Sequence, residues 1–288
     1  MDQDRYPWRT PKDRLRISWP RDRAVALMIV APLELHMLNP SAKPFKHPGA
    51  MQTPYPDLRH YTTRDYGLRI GVYRILDALK GAGLTATFAI NARLLARVAP
   101  LIGAILEDRH EIAAYGWDTD SIHWGGIDSA AEQRYIIDTR AAFDAVGVKP
   151  RTWLSPARSQ SFSTPDYIRA AGFDVCLDWE MDCAPLPMRT DHGVISCVPL
   201  LNELDDRKLL IDQRQTEAEW RDQILAAAAL MKDEHQQLGG QVLSFTLTPY
   251  VMGQPFRIRA LREALNALGA DPQIWSAGAA AIADASAQ

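Results

Sequence analysis

Cysteine is scarce in this chain. There are three, Cys176, Cys183 and Cys197, and none sits in a CxxC pair. A zinc knuckle or disulfide framework is therefore not expected, and a reducing cytoplasm is the expected setting. No base or histidine pattern adjoins any of them, so a cysteine nucleophile is not expected either. Net charge is also small, −3 from 32 Lys+Arg against 35 Asp+Glu. That balance calls for neither nucleic acid nor an anionic membrane. Long apolar runs are missing, since none approaches the roughly 18 to 20 residues of a membrane span. The opening stretch MDQDRYPWRTPKDRLRISWP has no apolar segment of the secretory kind. Helical repeats, heptads and low-complexity tracts are absent too. The 47% apolar and 23% charged content over 288 residues describes an ordinary globular chain of one large or two small domains.

What is present is alternation. Residues 1–20, with Pro7, Pro11 and Pro20, read as a surface arm, and 21–288 as one domain. Residues 24–31 are a nearly continuous apolar run, which predicts a buried parallel strand with Glu34 and His36 at its carboxyl end. Residues 37–66 are proline-rich and aperiodic, and read as a long loop suited to a lid, a binding loop or an oligomer contact. Helical spacing follows over 68–81, then a strand at 85–90 ending at Asn91. A helix over 92–108 is expected to break at Pro100. Further strands are expected at 173–179, 194–200 and 241–250, with helices at 129–147, 165–171, 216–235 and 257–269. About seven such strand–helix units predict a parallel sheet with crossover helices, a β/α barrel rather than an open sheet.

The densest chemistry lies in HEIAAYGWDTDSIHWGG, from His110 to Gly126. A short apolar strand there runs into Tyr115, Trp117, Asp118, Asp120, Ser121 and His123. Polar and aromatic residues just past a strand's carboxyl end are where such folds meet their ligands. The plain alternative is a solvated loop.

Taken together, VAPLELH, HEIAAYGW, WLSPARSQS, FDVCLDW, VPLLNELDD and LTPYVMGQPFR resemble the ordered motifs of the polysaccharide deacetylase superfamily, the NodB-homology or carbohydrate esterase 4 fold. They are more similar still to its branch of metal-independent allantoinase and cyclic-imide hydrolases. The likeness runs from about residue 15 to 270, with RDYGLRIGVYRILD and GQPFRIRALR its most specific blocks. It implies a distorted (β/α)7 barrel with the site at the strands' carboxyl ends, and hydrolysis of a carbon–nitrogen bond. In the deacetylases it also implies a metal held by an acid and two histidines, with a later histidine as general acid. This chain has Tyr115 and Thr119 at the two metal-histidine positions, and Thr248 at the last. No cofactor is therefore expected. A zinc or other divalent ion on a substitute set of Glu34, Asp118, Asp120 and His123 is the alternative.

Without a metal, amide opening needs a base for water and a donor for the oxyanion. The expected base is Glu34, raised in pKa by burial against Tyr115, Trp117, Trp153 and Trp179. Tyr115 is the expected oxyanion donor, and Asp178 the orienting acid of the fourth motif. Substrate contacts are expected from His36, Trp117, His123, Trp153, Arg158, Ser159, Trp179, Glu203, Thr248 and Tyr250. Each has a structural alternative: Glu34 salt-bridged, Tyr115 in the core, Trp153 and Trp179 as packing, Arg158 paired to an acid. The expected partners are a small substrate and further copies of the chain as a homodimer or homotetramer, with no nucleic acid or membrane. The competing functions are a barrel that binds without catalysis, and ester or lactone chemistry on the same scaffold.

Overall fold

Val25–Leu33, β1, is buried at every position and is paired with strands along both its edges, as its unbroken apolar run requires. The computed structural model describes residues 3–13, 16–41 and 54–287. Its other strands are β2 (Thr87–Ile90), β3 (Glu111–Ala114), β4 (Thr152–Trp153), β5 (Val175–Cys176), β6 (Leu186–Thr190), β7 (Gly193–Cys197), β8 (Gln241–Thr246) and β9 (Ile274–Ser276). The helices are α1 (Leu58–Tyr66), α2 (Val72–Ala82), α3 (Ala99–Glu107), α4 (Ser129–Ala145), α5 (Thr164–Ala170), α6 (Glu217–Leu238), α7 (Pro249–Met252), α8 (Ile258–Ala270) and α9 (Ala279–Ser286).

The sheet order is β6-β7-β5-β4-β3-β2-β1-β8, and β9 pairs with β1. Among the described strands only β6 and β7 pair antiparallel. Among the described residues no ladder joins β8 to the β6–β7 end. Single bonds bridge the gap instead. Val242 N donates to Cys183 O at 2.7 Å, and the Ser244 hydroxyl donates to Pro199 O at 2.8 Å and accepts from Leu201 N at 2.9 Å. The expected (β/α) barrel is thus a curled, mainly parallel sheet. Alternate residues of each strand face opposite ways. Ala26, Met28, Val30, Ala89 and Ala113 fill the inside, while Val25, Leu27 and Ile29 pack outward with the helices.

Trp19 is buried at the foot of the barrel, where its Nε1 donates to Gln241 O at 3.1 Å and its ring meets Trp275 at 5.8 Å. Arg5 is buried as well, bonded to Asp166 at 2.6 and 3.0 Å. The described part of the expected surface arm is therefore pinned at two points. Three elements depart from the sequence reading. The β6–β7 hairpin and α9 lie where no regular element, or only one strand, was expected. Part of the 37–66 loop is the helix α1, capped by the Asp57 side chain on His60 N; residues 42–53 of that loop lie outside the described residues.

A π-helical turn, Gly67–Gly71, joins α1 to α2. Its two glycines let that turn press on α7. A Cβ at Gly71 would stand 2.1 Å from Pro249 O, and one at Gly67 2.6 Å from Tyr250 N. Both neighbours are backbone and cannot swing away. Gly71→Ala is therefore expected to destabilise by about 1–3 kcal/mol in urea unfolding, the usual range for overpacking. Gly81→Ala in α2 has nothing within 4 Å and is expected to gain up to about 1 kcal/mol. Equal effects at the two sites would contradict the close contact between helix and α7.

Candidate active site

Glu34 leaves the carboxyl end of β1 and turns its carboxylate into the barrel mouth, 5% exposed. Three donors hold it. Arg207 Nη1 reaches Oε1 at 2.9 Å, the Tyr115 hydroxyl donates to the same oxygen at 3.2 Å, and His36 Nε2 lies 3.2 Å from Oε2. Burial alone would raise this carboxyl, but Arg207, His36 and Arg64 outweigh it and hold it well below the ordinary carboxylate range. The expectation of a Glu34 pushed toward neutrality is thus overturned, because the sequence reading omitted Arg207. Its walls differ too: the phenols of Tyr115 and Tyr250 stand around it, rather than tryptophans.

An ionised carboxylate only accepts hydrogen bonds, so His36 Nε2 carries the proton and Nδ1 keeps its lone pair. Burial lowers the His36 pKa more than Glu34 raises it, so the ring is neutral near pH 7. The Tyr115 phenol is pushed up by burial and by Glu34, which makes it a donor at any working pH. Burial, helped by Glu34, pushes Tyr250 up to about 12. The Tyr250 ring meets the edge of His36 at 6.3 Å and lies 5.3 Å from the Arg64 guanidinium.

Neighbouring strand ends fix these groups. Asn91, just past β2, accepts from Leu35 N at 2.7 Å and donates to Tyr115 O, so it braces the ends of β1 and β3. Asp206 accepts from Thr248 N at 2.6 Å and Thr248 Oγ1 at 2.7 Å, which anchors Arg207 beside it. Burial and the adjacent Asp205 push the Asp206 carboxyl up. At the opposite rim, Gly116 has φ +57° and its missing Cβ leaves room for the Pro156 ring. The turn that follows holds Ala157 and Arg158 at φ 55° and 54°, a conformation that costs a residue with a Cβ about 1–2 kcal/mol.

Two of the cavities that Glu34 lines are larger than a single water. One of about 260 Å³ is shared with Tyr115, Thr119, Arg158, Asp205 and Arg207. The other, about 430 Å³, runs under α1 past His36 and Arg64. The structure thus brings Glu34, His36, Tyr115, Arg158 and Tyr250 to one place, with Thr248 buried behind them.

Other expected residues are placed elsewhere. Trp153 and His123 are fully buried and pack on each other at 5.8 Å, and His123 Nδ1 lies 3.1 Å from Glu132. Both belong to the outer packing layer rather than to the cleft. Ser159 Oγ is spent on His123 O at 2.6 Å. Asp178 accepts from Ser155 N at 2.8 Å and Gln160 Nε2 at 2.5 Å, and Trp179 Nε1 donates to Gln160 Oε1 at 2.7 Å. Asp178 and Trp179 therefore brace the 155–160 loop. Trp117 is half-buried against the outer core, and Glu203 is exposed on the rim.

Arg207, Arg64 and Asn91 carry the site without having been given roles there by the sequence. Arg64 opens the RDYGLRIGVYRILD block, and Arg207 directly follows the ELDD run. Those adjacencies were the available signals.

Among the described residues the metal that the resemblance implies finds no ligand set: no three His, Cys, Asp or Glu side chains converge. The Arg207 guanidinium and the Tyr115 hydroxyl fill the space before Glu34. The substitute set is scattered: Asp118 bonds Arg93 at 2.7 Å, Asp120 accepts from Ser41 N at 2.7 Å, and His123 faces Glu132. These residues do not fit a divalent ion.

Residues 54–176 match the polysaccharide deacetylase family model. A solved structure described as a probable polysaccharide deacetylase from Pseudomonas aeruginosa PAO1 is 21% identical with a TM-score of 0.85, covering 94% of each chain. PuuE allantoinase is 20% identical with a TM-score of 0.81, covering 97% of each chain. A mutant described as a CE4 family pseudoenzyme with restored enzymatic activity is 11% identical, with a TM-score of 0.54 over 94% of this chain and 71% of that one. No curated relative matches. No helix among the described residues is long and apolar enough to cross a membrane. The chain thus matches the polysaccharide deacetylase model over residues 54–176 and shares the (β/α) fold of these structures over nearly its whole length.

Proposed function

We propose that this protein hydrolyses a non-peptide carbon–nitrogen bond in a small amide or cyclic amide without a resident metal. The observation that carries the reading is the buried Glu34 carboxylate, bonded to His36 and flanked by the donors Tyr115 and Arg207 at the barrel mouth. Glu34 fixes the His36 tautomer and stabilises the imidazolium, the role an acid plays behind a histidine base. His36 Nδ1 takes a proton from water as the water oxygen attacks the carbonyl carbon. The carbonyl oxygen becomes an oxyanion and accepts from a further Arg207 N–H and from the Tyr115 O–H, which turns to it from Glu34. The tetrahedral carbon then expels its nitrogen, which takes the proton from His36.

The test is a panel of a cyclic imide, a cyclic ureide, an N-acetyl sugar and a linear amide, read by acid or ammonia release. Turnover of at least one, unchanged after exhaustive chelation, is expected. No cleavage anywhere in the panel, or activity that chelation removes, contradicts the proposal. The Arg207–Glu34 contact favours one competitor, a barrel that binds without turnover. Saturable binding with no bond broken is its signature in the same panel.

A further inference from the structure

Arg64 is a buried cation with two open bonds. It is 3% exposed, and Nη1 donates to His60 O at 3.2 Å. Among the described residues its Nε and Nη2 have no hydrogen-bond partner. One N–H of each lies parallel to the other in the guanidinium plane, and together they form the side-on fork that receives both oxygens of a carboxylate. Buried donors are ordinarily satisfied, and a charged one left open is costly. The nearby acids are already engaged. Glu34 is shared by Arg207, Tyr115 and His36, and Asp65 pairs with Arg69 at 2.5 Å. Arg64 lines the cavity of about 430 Å³ together with Glu34 and His36. It also lines a void of about 10 Å³ between Glu34, His36 and Tyr250, room for about one water-sized group.

We propose that Arg64 is the anchor for a carboxylate on the substrate, so that the substrate class is a small amide or cyclic amide bearing a carboxylate. This rests on the reading above that the barrel mouth cleaves a carbon–nitrogen bond. Arg64 would hold the acid end within reach of the Glu34–His36 pair, while the carbonyl oxygen meets Tyr115 and Arg207. No described group of the resting protein accepts a hydrogen bond from the fork.

Two probes of one skeleton test it: succinamate, with a carboxylate and an amide, and succinamide, with two amides. Calorimetric titration of the wild-type protein is expected to show succinamate bound at least tenfold more tightly. Arg64→Met is expected to erase that preference, and Arg64→Lys, which keeps charge but loses the fork, to restore part of it. The free Arg64→Met protein is expected to melt at or above the wild-type midpoint, because an unpartnered charge has gone. Equal affinities in the wild type overturn the proposal. So does a preference that survives Arg64→Met, or a fall in its melting point with the preference intact, either of which makes Arg64 structural. If Arg64→Met does not fold, loss of most of the preference in Arg64→Lys decides the matter. Ammonia release is read separately. A preference for succinamate with no cleavage of any amide sinks the hydrolase reading and keeps the carboxylate site, whereas cleavage with no preference does the reverse.

Discussion

Asparagine at position 36 lowers kcat/KM for the cleaved amide by about 10²- to 10⁴-fold, the range general base catalysis contributes. Glutamine at position 34 is expected to fall in the same range, because a neutral amide can no longer hold the His36 tautomer or stabilise the imidazolium. The two side chains act as one unit, so the double variant should be little worse than the poorer single one. The pH profile separates the two candidate bases. His36 is lowered from its ordinary value of 6.5, burial being the larger influence. Its basic form therefore persists below that pH, and the acid limb of kcat/KM is expected below pH 6.5. A Glu34 base would behave differently. Arg207 holds that carboxyl below the ordinary carboxylate range, so activity would stay flat past about pH 4.3, the unperturbed value. A flat profile to that point, or an H36N variant with wild-type kcat/KM, would remove His36 from the chemistry.

How much of this was legible before folding depends on the reach of each interaction. β1 was readable because a strand buried on both faces must be apolar throughout, and the break at Pro100 because proline fits only a helix's first turn. Tyr115 was readable because it stands one residue past a short apolar strand. The β6–β7 hairpin was not, since only Met188 of β6 and two residues of β7 are buried and the alternation is too thin to see. Helix α1 was hidden for a similar reason. It buries one side chain, and that one is Arg64. The hardest feature was the charge state of Glu34. It is set by Arg207, 173 positions away in the chain. Nothing local to VAPLELH announces that partner, so burial alone was weighed and gave the wrong sign. A buried acid at a strand end therefore has to be read together with the cations that the topology delivers to the same mouth.

Methionine at position 207 tests that statement most directly. Glu34 would keep its burial and lose its strongest partner, and breaking one side of a buried pair usually costs about 3–5 kcal/mol. The pH dependence fixes the cause. In the wild type the folded pKa of Glu34 is depressed, so its contribution is present above the unfolded value near 4.3 and fades as pH falls through the folded one. Without Arg207, burial is the largest influence and only His36 and Arg64 oppose it, so the folded pKa is expected to rise above the unfolded value. The ionised form then weakens the variant at neutral pH, and protonation relieves it in acid. The gap between wild type and Arg207→Met in urea unfolding is therefore expected to be widest at pH 7.5 and to narrow toward pH 4.5. Glu34→Gln combined with Arg207→Met should recover most of the loss, because a neutral amide needs no cation opposite it. A deficit under about 1 kcal/mol, or one that does not change with pH, would mean that Glu34 is held by Tyr115 and His36 alone. The double variant also separates folding from turnover. It is expected to fold and yet to lack turnover, because Arg207 is required twice, opposite Glu34 at rest and opposite the oxyanion when the carbonyl is attacked.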